Sequence, residues 1–179
     1  MIFGLFRRNK GDETIRSLYG AIVAQSRNPA FFRDHGVADT VEGRFEMVAL
    51  HMFLMLHRLK EESAERRELG QALVDLMFFD LDRGLRELGV ADTKVPRRIK
   101  KMGQAFYGRI KVYDEALASG EPRQLELALL RNVLGRPEGE AAALAAYVRA
   151  AAAELAALPF EHLARAQISF PLVRHGDAS

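Results

Sequence analysis

The chain contains no cysteine in 179 residues. That excludes disulfides, thiolate nucleophiles and zinc sites built on cysteine, and it fits a reducing compartment. Long hydrophobic runs are also missing: the longest apolar stretch, Met47 to Leu56, is interrupted by His51 and falls short of the ~18 residues that a membrane span needs. Neither sign of charge dominates, with 26 Lys and Arg against 24 Asp and Glu for a formal net charge of +2. Any surface for an anionic partner must therefore come from how the charges are arranged. Serine and threonine are few, and no glycine-rich phosphate loop is present, so a hydroxyl nucleophile with its base or a nucleotide cradle has little to draw on.

Metal chemistry finds equally little support. None of the five histidines has an acidic residue three positions before it or a second histidine four positions after it, the spacings that put two ligands on one helical face. His51 and His57 lie six apart, roughly 240° around a helix. One is expected to meet a polar partner inside the fold and the other to sit at its edge. Asp80 and Asp82 point in different directions from a helix, so ion pairs with Arg83 and Arg86 are expected rather than a carboxylate pair working on one bond. An enzymatic reading survives only if the fold gathers distant residues such as His51, Asp80 and Tyr107 into a polar pocket. No catalytic residue, metal or cofactor is expected.

What the chain does have is helical periodicity. Ile15, Leu18, Tyr19, Ile22 and Val23 recur at one-face spacing from Asp12 until Asn28-Pro29. Thr40 is placed to cap a helix to about Lys60 that is apolar on nearly every side, the pattern of a buried central element. A third helix runs from about Ala64 to Leu88, with Leu69, Leu73, Leu76, Met77, Leu81, Leu85 and Leu88 as its apolar stripe and Gly89 as its stop. Pro96 opens a fourth, whose Val95, Ile99, Met102, Phe106, Ile110, Tyr113 and Leu117 follow steps of three and four until Gly120. Gly103 and Gly108 fall inside this pattern, where close helix packing is expected. A fifth helix follows from Pro122 to about Leu134, and an alanine-rich sixth from about Glu138 to Leu158. Ile168 to Val173 suits an extended strap along the body. No alternating strand pattern appears. The fold expected is all-α, a single irregular bundle of about six helices with an extended C-terminal tail. Residues 1–11 form an apolar and basic N-terminal segment, 12–158 the helical domain and 159–179 the tail.

Two surface features stand out. Between Thr93 and Tyr113 lie seven basic residues, Lys94, Arg97, Arg98, Lys100, Lys101, Arg109 and Lys111, and no acidic one. This is either a solvated helix face balanced elsewhere or a docking surface for phosphate, in RNA or lipid headgroups, or for an acidic protein. At the N-terminus, Ile2, Phe3, Leu5 and Phe6 precede Arg7, Arg8 and Lys10, the composition of a segment that lies in a membrane interface. The apolar run comes before the charges and no small-residue cleavage site follows, so no secretory signal is expected.

The run Phe79-Asp-Leu-Asp-Arg-Gly-Leu-Arg-Glu-Leu-Gly-Val-Ala-Asp92 leads into Val95-Pro-Arg-Arg-Ile-Lys-Lys-Met102 and Ala105-Phe-Tyr-Gly-Arg109. Tyr113-Asp-Glu-Ala-Leu117 and Ala128-Leu-Leu-Arg-Asn-Val-Leu-Gly135 follow. Over Ile15 to Gly135 the chain resembles the ubiquinol–cytochrome c chaperone family, the Cbp3-like assembly factors of respiratory complex III. The resemblance implies a non-catalytic factor that receives newly made cytochrome b and protects it until haem insertion, cytoplasmic and peripherally associated with the inner membrane. It places the client or partner surface at Asp80, Asp82, Arg83, Arg86, Glu87, Arg97, Arg98, Lys100, Lys101, Tyr107 and Arg109. Mitochondrial members work with a small partner and dock near the ribosomal tunnel exit. This chain, with no transit peptide, resembles a bacterial member, for which ribosome and small partner stay open. The competing reading is an RNA- or ribosome-binding helical module, supported by the basic helix.

Overall fold

The computed structural model describes the backbone of residues 3–173 and, apart from Glu65, the side chains of residues 11–173. Eight helical elements follow one another: α1 (Phe3–Ser26), α2 (Pro29–Arg33), α3 (Val41–Leu59), α4 (Ala64–Glu87), α5 (Val95–Ala118), α6 (Pro122–Asn132), α7 (Ala142–Ala157) and α8 (Phe160–Leu163). No strand occurs among the described residues. The all-α bundle is as expected, with two short additions. Asn28 caps α2 through its side chain, which accepts from the Ala30 amide at 3.0 Å, so the Phe31-Phe32 connector becomes a helical turn. The backbone of α1 also starts at Phe3 rather than Asp12.

The central element is α3. Met47, Leu50, Met52, Leu54 and Met55 are all fully buried, because a helix apolar all round is stable only when other elements cover every side. It packs against α1, α4, α5 and α7. Contacts of α1 with α4, α4 with α5, α5 with α6 and α6 with α7 carry the outer layer most of the way around it. The remaining seam, between α1 and α7, is bridged by Gln25 to the Tyr147 hydroxyl at 3.0 Å and overlaid by the C-terminal strap, whose Pro171 carbonyl accepts from Gln25 at 3.4 Å. Ile168, Phe170 and Val173 of that strap pack against the core.

Chain ends of the helices follow the sequence signals. Thr40 Oγ1 accepts from the Gly43 amide at 3.1 Å, and Gly43 itself is required: a Cβ there would stand 2.0 Å from the Ala38 carbonyl oxygen. At the end of α4, Gly89 takes φ +79°. Its amide bonds to Arg86 O while that of Val90 reaches Leu85 O, the paired bonds that satisfy the last carbonyls of a helix. The expectation of close packing at Gly103 and Gly108 is not met. The Phe78 ring sits at ordinary contact distance from the first, and nothing approaches the second, because Gly108 lies on the side of α5 turned away from the core.

Among the described residues two polar side chains are buried outright, Ser26 and His51, and His51 lies on the central helix. Its Nδ1 lies 2.7 Å from Met47 O, which can only accept, so Nδ1 carries the proton and Nε2 accepts from the Tyr147 hydroxyl at 2.7 Å. Gln25 donates to that hydroxyl in turn, giving a chain in which every link is satisfied. Burial pushes the imidazole down to about 4, against the pull of the Met47 carbonyl.

Candidate docking surface

The acidic and basic cluster on α4 is an exposed ladder of ion pairs. Asp80 pairs with Arg83, Arg83 with Glu87 at 3.7 Å, Asp82 with Arg86 at 2.6 Å, and Arg86 with Asp92 at 2.5 Å. All but the Arg86–Asp92 pair, which reaches past the end of α4, have the i,i+3 or i,i+4 spacing of one helical face. Asp80 also accepts from the Tyr19 hydroxyl of α1 at 3.1 Å; burial first, and the Asp80 carboxylate second, raise the tyrosine well above its ordinary value.

The following basic helix differs. Lys94, Arg97, Arg98, Lys100 and Lys101 are exposed, and none takes part in an ion pair among the described residues. They crowd the first two turns of α5, whose start has no side-chain cap and no acidic residue. Cations are least favoured at that end of a helix, where the macrodipole is positive. The fold leaves this charge uncompensated.

Arg109 behaves otherwise. Its Nη2 donates to Glu46 Oε1 at 2.6 Å, and Nε stands 2.5 Å from Oε2 without hydrogen-bond geometry, a largely buried ion pair that ties α5 to α3. Burial pushes the Glu46 carboxyl up to about 7 against the pull of Arg109. Lys111 is within 3.9 Å of Glu115. Arg109 thus serves the interior, joining two helices. The exposed positions of α5 include Tyr107, 55% accessible.

Among the apolar residues of this face, Met77 and Phe106 are buried, Phe78 and Met102 are partly covered, and Phe79 stands 66% accessible. Leu88, read from sequence as part of the core stripe, is 65% accessible: it is the C-cap of α4, past the point where neighbours cover the helix. His51, Asp80 and Tyr107 do not assemble into one polar pocket. His51 is sealed among Phe31, Tyr147 and Phe170, Asp80 faces Tyr19, and Tyr107 faces solvent. No group of three or more His, Asp or Glu among the described residues is arranged to hold a metal. His57 sits at the edge, 2.6 Å from Asp114.

Two concavities that the sequence did not signal join on this face. One runs between Tyr19 and Val23 of α1, with Arg27 just past its end, and Asp80 and Gly84 of α4, with its C-cap Leu88. The other lies between the start of α3 and α5, edged by Glu42, Arg98, Lys101 and Arg109. Val41, Phe45, Leu85 and Met102 line both, so they form one groove with an apolar floor. Tyr19, Val23, Leu81, Leu85, Leu88 and Met102 of its lining belong to the apolar stripes of the sequence, which read equally well as core.

Met1 and Ile2, and the side chains of Phe3, Leu5, Phe6, Arg7 and Arg8, lie outside the described residues. No helix among the described residues is long and apolar enough to cross a membrane.

Comparison with known proteins follows the same outline. The chain is similar to the ubiquinol-cytochrome-c reductase complex assembly factor 1 of Xenopus laevis, 27% identical over 135 residues that cover 74% of this chain and 67% of the relative. It is 29% identical to the Drosophila melanogaster protein of that name over 82% of this chain and 59% of the relative. It thus spans only about three fifths to two thirds of those proteins' lengths. The crystal structure of the Cbp3 homolog from Brucella abortus superposes with a TM-score of 0.86 at 40% identity, covering 97% of this chain and 98% of that one. Residues 33–170 match the pattern of the family described as Ubiquinol-cytochrome C chaperone, and the chain belongs to that family.

Proposed function

We propose that this chain is an assembly chaperone of the ubiquinol–cytochrome c reductase complex that binds newly made cytochrome b at the face formed by α4 and α5. The names of its relatives support the complex. The observation that favours this face is the set of five unpaired cations on α5 beside an ion-pair ladder and the exposed Phe79, Leu88 and Tyr107, a combination suited to a partner with both charge and apolar surface. The chain works as a holder rather than a catalyst, cytoplasmic and peripherally held at the inner membrane by the N-terminal segment around Ile2, Phe3, Leu5, Phe6, Arg7 and Arg8, with the α5 cations as second attachment.

Crosslinking in cells with identification of partners tests the client, with cytochrome b as the expected product. Normal levels of the bc1 complex after loss of the gene would contradict the reading. Removing residues 1–10 is expected to move the protein from anionic vesicles to the supernatant; unchanged sedimentation would remove the membrane anchor.

The same cations favour a second reading, an RNA- or ribosome-binding module. It requires binding to bulk RNA that weakens steeply with salt and drops when Arg97, Arg98, Lys100 and Lys101 are neutralised.

A further inference from the structure

We infer that the groove between α1, α4 and the start of α5 receives an amphipathic helix of the partner whose apolar side is edged with carboxylates. This rests on the assembly reading for the partner's identity, but the groove's chemistry stands on its own residues.

The shape comes first. The two walls are helical stripes, Tyr19 and Val23 on α1 with Arg27 just past its end and Asp80 and Gly84 on α4 with its C-cap Leu88, each stepping by four, and Phe45, Val48, Leu81 and Leu85 complete the lining. An incoming helix presents apolar residues at the same steps, so ridges can enter this groove along its length. Val41, 53% accessible, and Leu88 stand uncovered at the rim, where an occupant would bury them.

Gly84 is the second observation. It lies within α4, where glycine costs roughly 1 kcal/mol relative to alanine, and a Cβ there would meet nothing within 4 Å. Its own fold gives no reason for the missing side chain. A glycine on the wall of an open groove lets a visiting backbone come close.

Charge selects the occupant. Arg27, Arg98 and Lys101 line the groove and take part in no ion pair among the described residues, and Lys94, Arg97 and Lys100 stand exposed nearby at the start of the same helix. Against them stands one unpaired acid, Glu42; Asp80 and Glu46 are already matched by Arg83 and Arg109. The remaining positive potential favours carboxylates and disfavours lysines on the visitor.

The test uses the full chain and a synthetic amphipathic helical peptide with a leucine stripe edged by glutamates, alongside the same peptide with lysines in their place, followed by fluorescence anisotropy. The glutamate peptide is expected to bind at least tenfold tighter than the lysine one, and to lose at least tenfold with the R98E/K101E double variant, which touches only exposed positions. Gly84→Trp should block binding, whereas Gly84→Ala keeps the fold. Equal binding of both peptides, or binding that survives both R98E/K101E and Gly84→Trp, overturns the proposal. So does binding restricted to phosphatidylglycerol vesicles. Photo-crosslinkers placed at Val41 and Leu88, with Ala150 of α7 as the site outside the groove, separate this from the assembly reading. Cytochrome b captured only from Ala150 sinks the groove and leaves the chaperone. No cytochrome b from any position, with the peptide results intact, does the reverse.

Discussion

The centre of the molecule and its α4–α5 face treat polar groups in opposite ways. Around α3, the single buried imidazole is met at both nitrogens, its tyrosine partner is met by Gln25, and Gln25 reaches the strap. At the start of α5, five cations gather at the helix end that least favours them and pair with no acid among the described residues. A fold that closes this hydrogen-bond chain in one place is under no chemical compulsion to leave charge unmatched in another. The difference separates what holds this protein together from what it offers to others.

That contrast breaks most readily at the centre. Replacing His51 with alanine opens a cavity and leaves the Tyr147 hydroxyl without its acceptor, so unfolding free energy should fall by about 3 kcal/mol, read from the denaturant midpoint; a loss under about 1 kcal/mol would show that the chain of bonds is not structural. Acid should produce the next largest effect. Between about 6.5 and about 4 the unfolded chain takes up a proton that the buried His51 refuses, so His51 subtracts stability as pH falls through that window. Glu46 works oppositely: held up to about 7, it keeps a proton in the folded state that the unfolded chain releases, and its contribution is lost as pH rises through about 4.5 to 7. Glu46→Gln should therefore steepen the loss of stability in acid by on the order of 1 kcal/mol or more, and His51→Leu should reverse the slope. Parallel pH profiles in the two variants would contradict both assignments.

On the other face, structural effects should be small. Gly84→Ala should raise stability by roughly 0.5–1 kcal/mol, since the new methyl meets open space and the helix gains propensity; destabilisation would mean that the groove wall is tighter than it stands here. Neutralising Arg97, Arg98, Lys100 and Lys101 together should leave the melting temperature unchanged or slightly higher, because no ion pair is lost and like charge at a positive helix end is relieved.

Most of the fold was legible because its signals are local. The apolar steps of α4 and α5, the Thr40 cap, the Gly89 stop and the all-round apolar character of α3 each depend on a few neighbouring residues, and each appears where periodicity placed it. The α4 ion pairs were legible for the same reason. What could not be read are relations between elements distant in sequence. The Glu46–Arg109 pair spans α3 and α5, so Arg109 looked like one more surface cation. Leu88 continued the stripe in sequence but outran its cover in space. The groove is made from α1, α3, α4 and α5 at once, and glycine at position 84 carries no mark that tells an open wall from a packed one.

The most direct test joins the two regions in one experiment. The R97Q/R98Q/K100Q/K101Q variant would be placed in the organism's own gene, with its thermal stability and the level of the bc1 complex measured together. Undiminished stability with a clear fall in the complex is the predicted result. Normal complex levels, or a fall that merely tracks lost stability, would contradict the view that this face is where the protein does its work.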